Sequence, residues 1–271
     1  MIEMHGDDGR AWLDGLPDLC RSLAEQWGVE LEEPFRGLTY GWVVPGMRGA
    51  EPVVLKVVVP TAEGLMEPLA LKAFAGHGVV RLLEFDVFHG AMLLEGLDPG
   101  EMLVGRPDAI TVACSVMQEL WQARAPKAFP RLDVWTKGLE GPAGARLPIS
   151  LLELALARRA ELLATAPGPV LLHADLHHFN ILSSGKGWTA IDPKGVVGEA
   201  AFECAAFLIN SPKSIEQDID TFARRLHLDR KRVAGWAFVF GVLSAAWTLE
   251  DHGTIDESAL AFSEDVWKLM S

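Results

Sequence analysis

His173-Ala-Asp175-Leu-His-His-Phe-Asn180, followed by Trp188-Thr-Ala-Ile-Asp192-Pro-Lys194-Gly195, decides how this chain is read. The stretch places a carboxylate, a carboxamide five residues on, and a second carboxylate at the end of a short apolar run. Phosphoryl transfer from a nucleotide needs that set. One Asp orients the attacking hydroxyl, while an Asn and a second Asp hold magnesium against the phosphates. Pro169-Val-Leu-Leu172 reads as a buried strand entering a polar loop, and Ile181-Leu182 leaves that loop. Ser183-Ser-Gly-Lys-Gly187 reads as a turn, and Trp188 to Ile191 as the return strand. A hairpin of this kind brings Asp175, Asn180 and Asp192 to one edge. Two other readings stay open at this point. His173, Asp175, His177 and His178 could ligate zinc or a di-metal pair, or the segment could be a polar loop with a capping Asp and satisfied histidines.

The bulk properties narrow the field. A chain of 271 residues, 49% hydrophobic and with nine Trp, suffices for one large domain or two modest lobes. A formal charge of −13 argues against a nucleic-acid partner and suits a cationic one. Cys20, Cys114 and Cys204 are odd in number and far apart, so neither a disulfide framework nor a structural zinc is expected. Cys204 falls in an apolar helical run and reads as core. Met1 to Arg10 is acidic and lacks a signal-peptide hydrophobic region. Val233 to Leu249 is the longest uncharged stretch and reads as a buried core helix rather than a span. The expectation is a cytoplasmic protein with no membrane partner.

Along the chain, Asp14 to Gly28 reads as an amphipathic helix and residues 35–59 as strands, with Pro45-Gly46-Met-Arg-Gly49 as a turn. Thr61 to Ala75 reads as a helix with Thr61 as its cap, and Val79 to Leu94 as further strands. Leu97-Asp-Pro-Gly100 is the strongest punctuation and a hinge. Beyond it come helices at Ala109–Arg124 and Ile149–Thr165, then the two strands of the opening stretch. Further helices follow around Ala200–Leu208, Ile215–Leu226, Lys231–Leu249 and Thr254–Leu269. The expected class is α+β, with a small β-rich lobe over residues 1–97 and a larger helical lobe over 98–271 that carries the catalytic loop and acceptor site.

Lys56 sits inside the β-branched run Val53-Val-Leu-Lys56-Val-Val-Val59. A lone Lys on a buried strand is costly unless paired. That points to a cleft-facing Lys that touches nucleotide phosphates and is partnered by a carboxylate on the next helix. Glu63 and Glu67 are the candidates, and Glu67, mid-helix, is preferred. The alternative for Lys56 is an edge-strand position pointing outward. Gly37-Leu-Thr-Tyr-Gly41 could fold over phosphates through backbone N–H groups, or be an ordinary glycine-containing hairpin. Met92-Leu-Leu-Glu95-Gly-Leu97 precedes the hinge, where Glu95 and Leu97 would offer backbone groups to adenine.

In order and spacing these residues resemble a protein-kinase-like enzyme. More specifically, the chain resembles the aminoglycoside phosphotransferase superfamily, and within it the streptomycin 6-kinase and hydroxyurea phosphotransferase group. Leu171 to Leu182, Leu93-Leu-Glu-Gly-Leu-Asp-Pro-Gly100 and Leu55-Lys-Val57 carry the likeness, and Ala190-Ile-Asp-Pro-Lys-Gly195 is its most specific part. The resemblance implies ATP and Mg2+ as cofactors and a small-molecule acceptor, with streptomycin as lead and a hydroxyurea-like compound or another metabolite as alternative; a non-catalytic nucleotide-binding protein is the further alternative. It implies Asp175 as catalytic residue, Asn180 and Asp192 as metal ligands, and Lys56, Glu67, Glu95 and Leu97 as nucleotide-binding residues. His173 would brace the loop. Glu203 stands where the family usually has an Asp supporting the loop, and Ala174 where it usually has Gly.

Overall fold

The computed structural model describes residues 2–35, 41–59, 61, 64–211 and 214–270, with the backbone alone over 2–11. Helix α1 (Ile2–Trp27) ends at Gly28, whose φ of +65° an L side chain would resist. It lies on a five-stranded antiparallel sheet in the order β1-β2-β3-β5-β4, formed by β1 (Glu30–Leu31), β2 (Trp42–Arg48), β3 (Glu51–Val57), β4 (Leu82–Asp86) and β5 (Ala91–Glu95). Leu16, Cys20 and Leu23 of the helix pack on Val44, Leu55, Val57 and Ala91 of the sheet. β3 is flanked on both sides, so Lys56 is not on an edge.

Several boundaries differ from the sequence reading. Pro45 to Arg48 is strand rather than turn, and the chain reverses at Gly49-Ala50. Gly46 is needed within β2 because an added Cβ would lie 3.2 Å from the Leu31 Cα of β1. Helix α2 (Met66–Phe74) starts later than Thr61. The Thr61 hydroxyl accepts from the Gly64 N–H in the preceding turn and does not cap the helix.

After β5 the chain enters β6 (Pro99–Met102), then α3 (Ala109–Leu120), α4 (Leu132–Trp135), two short 3-10 turns and α5 (Ile149–Ala164). Strands β7 (Val170–Leu172), β8 (Ile181–Ser184), β9 (Gly187–Ala190) and β10 (Val196–Gly198) follow, then α6 (Ala200–Ile209), α7 (Ile215–Leu226), α8 (Arg230–His252) and α9 (Glu257–Met270). β8 and β9 form the expected hairpin, and β6 pairs with β8. The entering strand β7 does not join that hairpin. It pairs antiparallel with β10, which the sequence reading passed over.

Helix α8 is long and apolar enough to cross a membrane by length and composition, yet most of it is enclosed by α5, α6 and α9. A helix apolar on every side is what the centre of a helical layer requires. The Glu199 carboxylate, just before α6, accepts from the Trp236 indole N–H and pairs with Arg232, tying α6 to α8. Cys204 is fully buried in α6.

Candidate functional site

The β7–β10 and β8–β9 pairs hold two loops against each other. Residues 173–180 run from β7 to β8, and residues 191–195 run from β9 to β10. His173 joins the two loops. Its Nε2–H donates to the Ile191 carbonyl (2.7 Å), and its Nδ1 accepts from the Asp175 N–H (3.3 Å). Burial pushes the imidazole pKa down to about 3, so the ring stays neutral in the tautomer those two bonds require. Both ring nitrogens are engaged, which removes His173 as a metal ligand. His178 is buried and stacked on Phe207, 3.8 Å between ring centroids. Among the described residues no group of His, Cys, Asp and Glu is arranged to hold a metal without further donors.

Glu203, on α6, supports the first loop from beneath. Its carboxylate accepts from the His173 N–H (2.7 Å) and the Ala174 N–H (2.9 Å). The longer side chain thus still reaches the loop. Burial raises its pKa to about 7 against the pull of those two donors. Ala174 adopts φ +67°, a conformation that favours glycine, so a strained alanine precedes Asp175.

Asp175, Asn180 and Asp192 converge as expected. The Asn180 Nδ2 donates to the Asp175 carbonyl (2.9 Å), and the Asn180 carbonyl accepts from the Ile191 N–H (3.0 Å), next to Asp192. The amide nitrogen is so engaged, whereas the Asn180 Oδ1 has no hydrogen-bond partner among the described residues. Asp192 sits at φ +61°. The Lys56 Nζ lies between Asp192 (2.8 Å) and Glu67 (2.8 Å), so one ammonium from the sheet bridges α2 and the second loop. Lys56 is 7% exposed. Burial depresses its pKa, but Glu67 and Asp192 more than offset this and hold it above the ordinary lysine value. Burial raises Glu67, whereas Asp192 falls below the carboxylate range because Lys56 outweighs its burial.

Asp175 makes no such pair. Burial raises its pKa, opposed by His177, whose Nε2 is 3.7 Å away, and by Lys194. Phe179, between His178 and Asn180, is 51% exposed and packs edge-on against His177.

In the connector after β5, the Glu95 carboxylate is taken by the Arg81 N–H and Nε, and the Glu95 N–H donates to the Arg81 carbonyl. The Gly96 N–H donates to Pro52. The Leu97 N–H has no hydrogen-bond partner among the described residues. Glu63 and the Gly37 to Tyr40 part of the glycine segment lie outside the described residues.

The sequence reading missed how the halves are tied. The Val80 N–H donates to the Ala190 carbonyl (2.9 Å), and the Ala190 N–H donates to Gly78 (2.8 Å), two residues before Asp192. Isolated bridges of this kind carry no periodic signal. The electrostatic position of Lys194 was also missed, although its motif had been singled out.

Comparison with known proteins places these features in context. Residues 37–252 match the model of the aminoglycoside/hydroxyurea antibiotic resistance kinase family. The chain is 36% identical to a hydroxyurea phosphotransferase from Kitasatospora aureofaciens, over 91% of this chain and 77% of that one. It is 30% identical to a streptomycin 6-kinase from Streptomyces griseus, over 97% and 93% of the two chains. Among solved structures, a thermostable mutant of aminoglycoside phosphotransferase APH(4)-Ia, in ternary complex with ADP and hygromycin B, superposes with a TM-score of 0.69 at 16% identity, covering 92% and 97% of the chains.

Proposed function

The chain belongs to the aminoglycoside/hydroxyurea antibiotic resistance kinase family and is a phosphotransferase, and on that premise we propose that it moves the γ-phosphoryl group of ATP, with magnesium, to a hydroxyl of a small antibiotic. The observation that carries this reading is the Lys56 ammonium held between Glu67 and Asp192, with Asp175 and Asn180 on the adjoining loop. In the proposal residues 1–97 are the nucleotide-binding lobe, and residues 98–271 hold the acceptor.

Each residue has a task the geometry suits. Lys56, oriented by Glu67, contacts the nucleotide phosphates. Leu97 N–H, with the Glu95 backbone beside it, meets the adenine. Asn180 Oδ1 and the Asp192 carboxylate are hard oxygen donors, the set that magnesium takes alongside phosphate and water. Magnesium, when bound, screens the phosphate charge. Asp175, with a raised pKa and no ion pair within hydrogen-bonding distance, is free to accept the hydroxyl proton and aim its oxygen along the line of attack.

Streptomycin is the leading acceptor, because alignment with the streptomycin kinase runs nearly end to end in both chains. The higher identity to a hydroxyurea phosphotransferase supports hydroxyurea as a second reading. Incubation with ATP, magnesium and each compound, followed by mass spectrometry, distinguishes them. A single added phosphoryl group on streptomycin is expected. Modification of hydroxyurea alone favours the second reading, and modification of neither overturns both.

A further inference from the structure

Lys194 is the charged member of the Pro-Lys-Gly motif, and the function above gives it no task. Its backbone is fixed from three sides. The Lys194 N–H donates to the His173 carbonyl (2.9 Å), and Asp192 before it is locked at φ +61°. Gly195 after it has φ +72°, and an added methyl there would fall 2.7 Å from both Ala70 and Phe129. The Lys194 backbone is thereby held two residues after Asp192 and against the loop that carries Asp175.

The half-buried Lys194 side chain acts electrostatically on Asp175, Asp192, Glu67 and His173. Yet among the described residues it makes no ion pair within 4.0 Å, whereas Lys56 makes two. A partly desolvated ammonium near three carboxylates and bonded to none of them is available to an anion that arrives between them. The incoming anion of this reaction is a polyphosphate, and Lys56 alone already answers two carboxylates. A compact, flexible lysine charge suits an oxygen that moves during transfer better than a planar fork does.

We propose that Lys194 is a second phosphate-binding cation of this enzyme, contacting the γ-phosphoryl group while it passes from nucleotide to the hydroxyl held by Asp175. The proposal rests on the kinase reading above. The group transferred is the terminal phosphoryl: its bond to the β-phosphate oxygen breaks, its bond to the acceptor oxygen forms, and the acceptor proton passes to Asp175. The Lys194 ammonium stabilises the charge spread over the equatorial oxygens.

The test uses the full chain with Lys194→Met, Lys194→Arg and Asp175→Ala in parallel. Dissociation constants for Mg·ATP and Mg·ADP are measured by calorimetry without acceptor, and kcat and KM are measured with streptomycin. Lys194→Met is expected to lower kcat by roughly 10²–10³-fold, as loss of a transition-state donor does. It should also erase the preference for ATP over ADP while leaving ADP affinity and the acceptor KM within about threefold. Lys194→Arg should recover at least part of kcat and of the ATP preference. A Lys194→Met enzyme with parental kcat and parental ATP preference overturns the proposal. So does a variant that loses ADP affinity as well, because that marks a scaffold role. Turnover retained by Asp175→Ala would instead overturn the kinase reading itself, which separates the two failures. If no acceptor is turned over, the ATP-to-ADP affinity ratio decides alone.

Discussion

Replacing Lys56 with Met tests whether the cleft is built around one buried cation. Lys56 is 7% exposed and meets two carboxylates at 2.8 Å. At an effective dielectric of about 20, each contact represents roughly 6 kcal/mol of attraction before desolvation is subtracted. Most of that is cancelled by the cost of removing the charges from water, and breaking a buried pair typically costs about 3–5 kcal/mol net. The two partners do not count equally. The Glu67 side chain is 14% exposed and that of Asp192 is 43% exposed, so water screens the second pair. We expect Lys56→Met to lose about 3 kcal/mol at pH 8, mostly because Glu67 is left buried without a cation. Burial already raises the Glu67 pKa, and removing Lys56 raises it further. A raised carboxyl pKa makes the folded state hold a proton that the unfolded chain releases, so the loss shrinks as pH falls from 8 to 5. Glu67→Gln in the same background should recover about 2 kcal/mol, giving a non-additive double-mutant cycle. Urea denaturation of the four proteins at both pH values measures this. Strictly additive losses, or a loss that is independent of pH, would refute the reasoning.

Other substitutions probe the two loops. Gly195→Ala should cost about 3 kcal/mol in urea denaturation, combining a methyl 2.7 Å from Ala70 and Phe129 with a left-handed φ; a loss below about 1 kcal/mol would mean the turn is not fixed there. Ala174→Gly removes the strain of φ +67° but loses a buried methyl and adds chain entropy, so it should stay within about 1 kcal/mol of the parent and keep turnover. Glu203 is raised to about 7 from an ordinary 4.5, so its contribution to stability is lost as pH rises across that window. His173 is lowered to about 3 from 6.5, so its contribution is lost as pH falls across its own window. The two slopes oppose each other between 4.5 and 6.5. Glu203→Gln removes the first slope, so from pH 4.5 to 6.5 that variant's stability should climb more steeply than the parent's; identical slopes would exclude this coupling.

That the candidate residues come together was legible because their chemistry is costly anywhere else. A lysine amid β-branched residues needs a carboxylate, and Glu67 supplies it. An Asp, an Asn and a second Asp at that spacing need opposed loops, and the β7–β10 and β8–β9 pairs provide them. The pairing itself was harder to read. β7 and β10 are three residues each, too short for alternation to register, so their pairing has no signature in the sequence. The Pro45-Gly46 pair carries a turn signature, but Gly46 serves instead to admit the β1 backbone. The start of α2 was misjudged because the Thr61 hydroxyl caps a turn rather than a helix. The positive φ of Ala174 and the isolated bridges through Val80 and Ala190 are tertiary effects with no local pattern.

The most direct test of the central claim is magnesium-dependent release of ADP from ATP, with and without streptomycin, by the parent chain and by Asp175→Ala. The account predicts release that rises with streptomycin, requires magnesium, and falls at least a hundredfold in the variant, as removal of a positioned catalytic base does on the order of 10²–10⁴-fold. Equal streptomycin-dependent release from both proteins would contradict it.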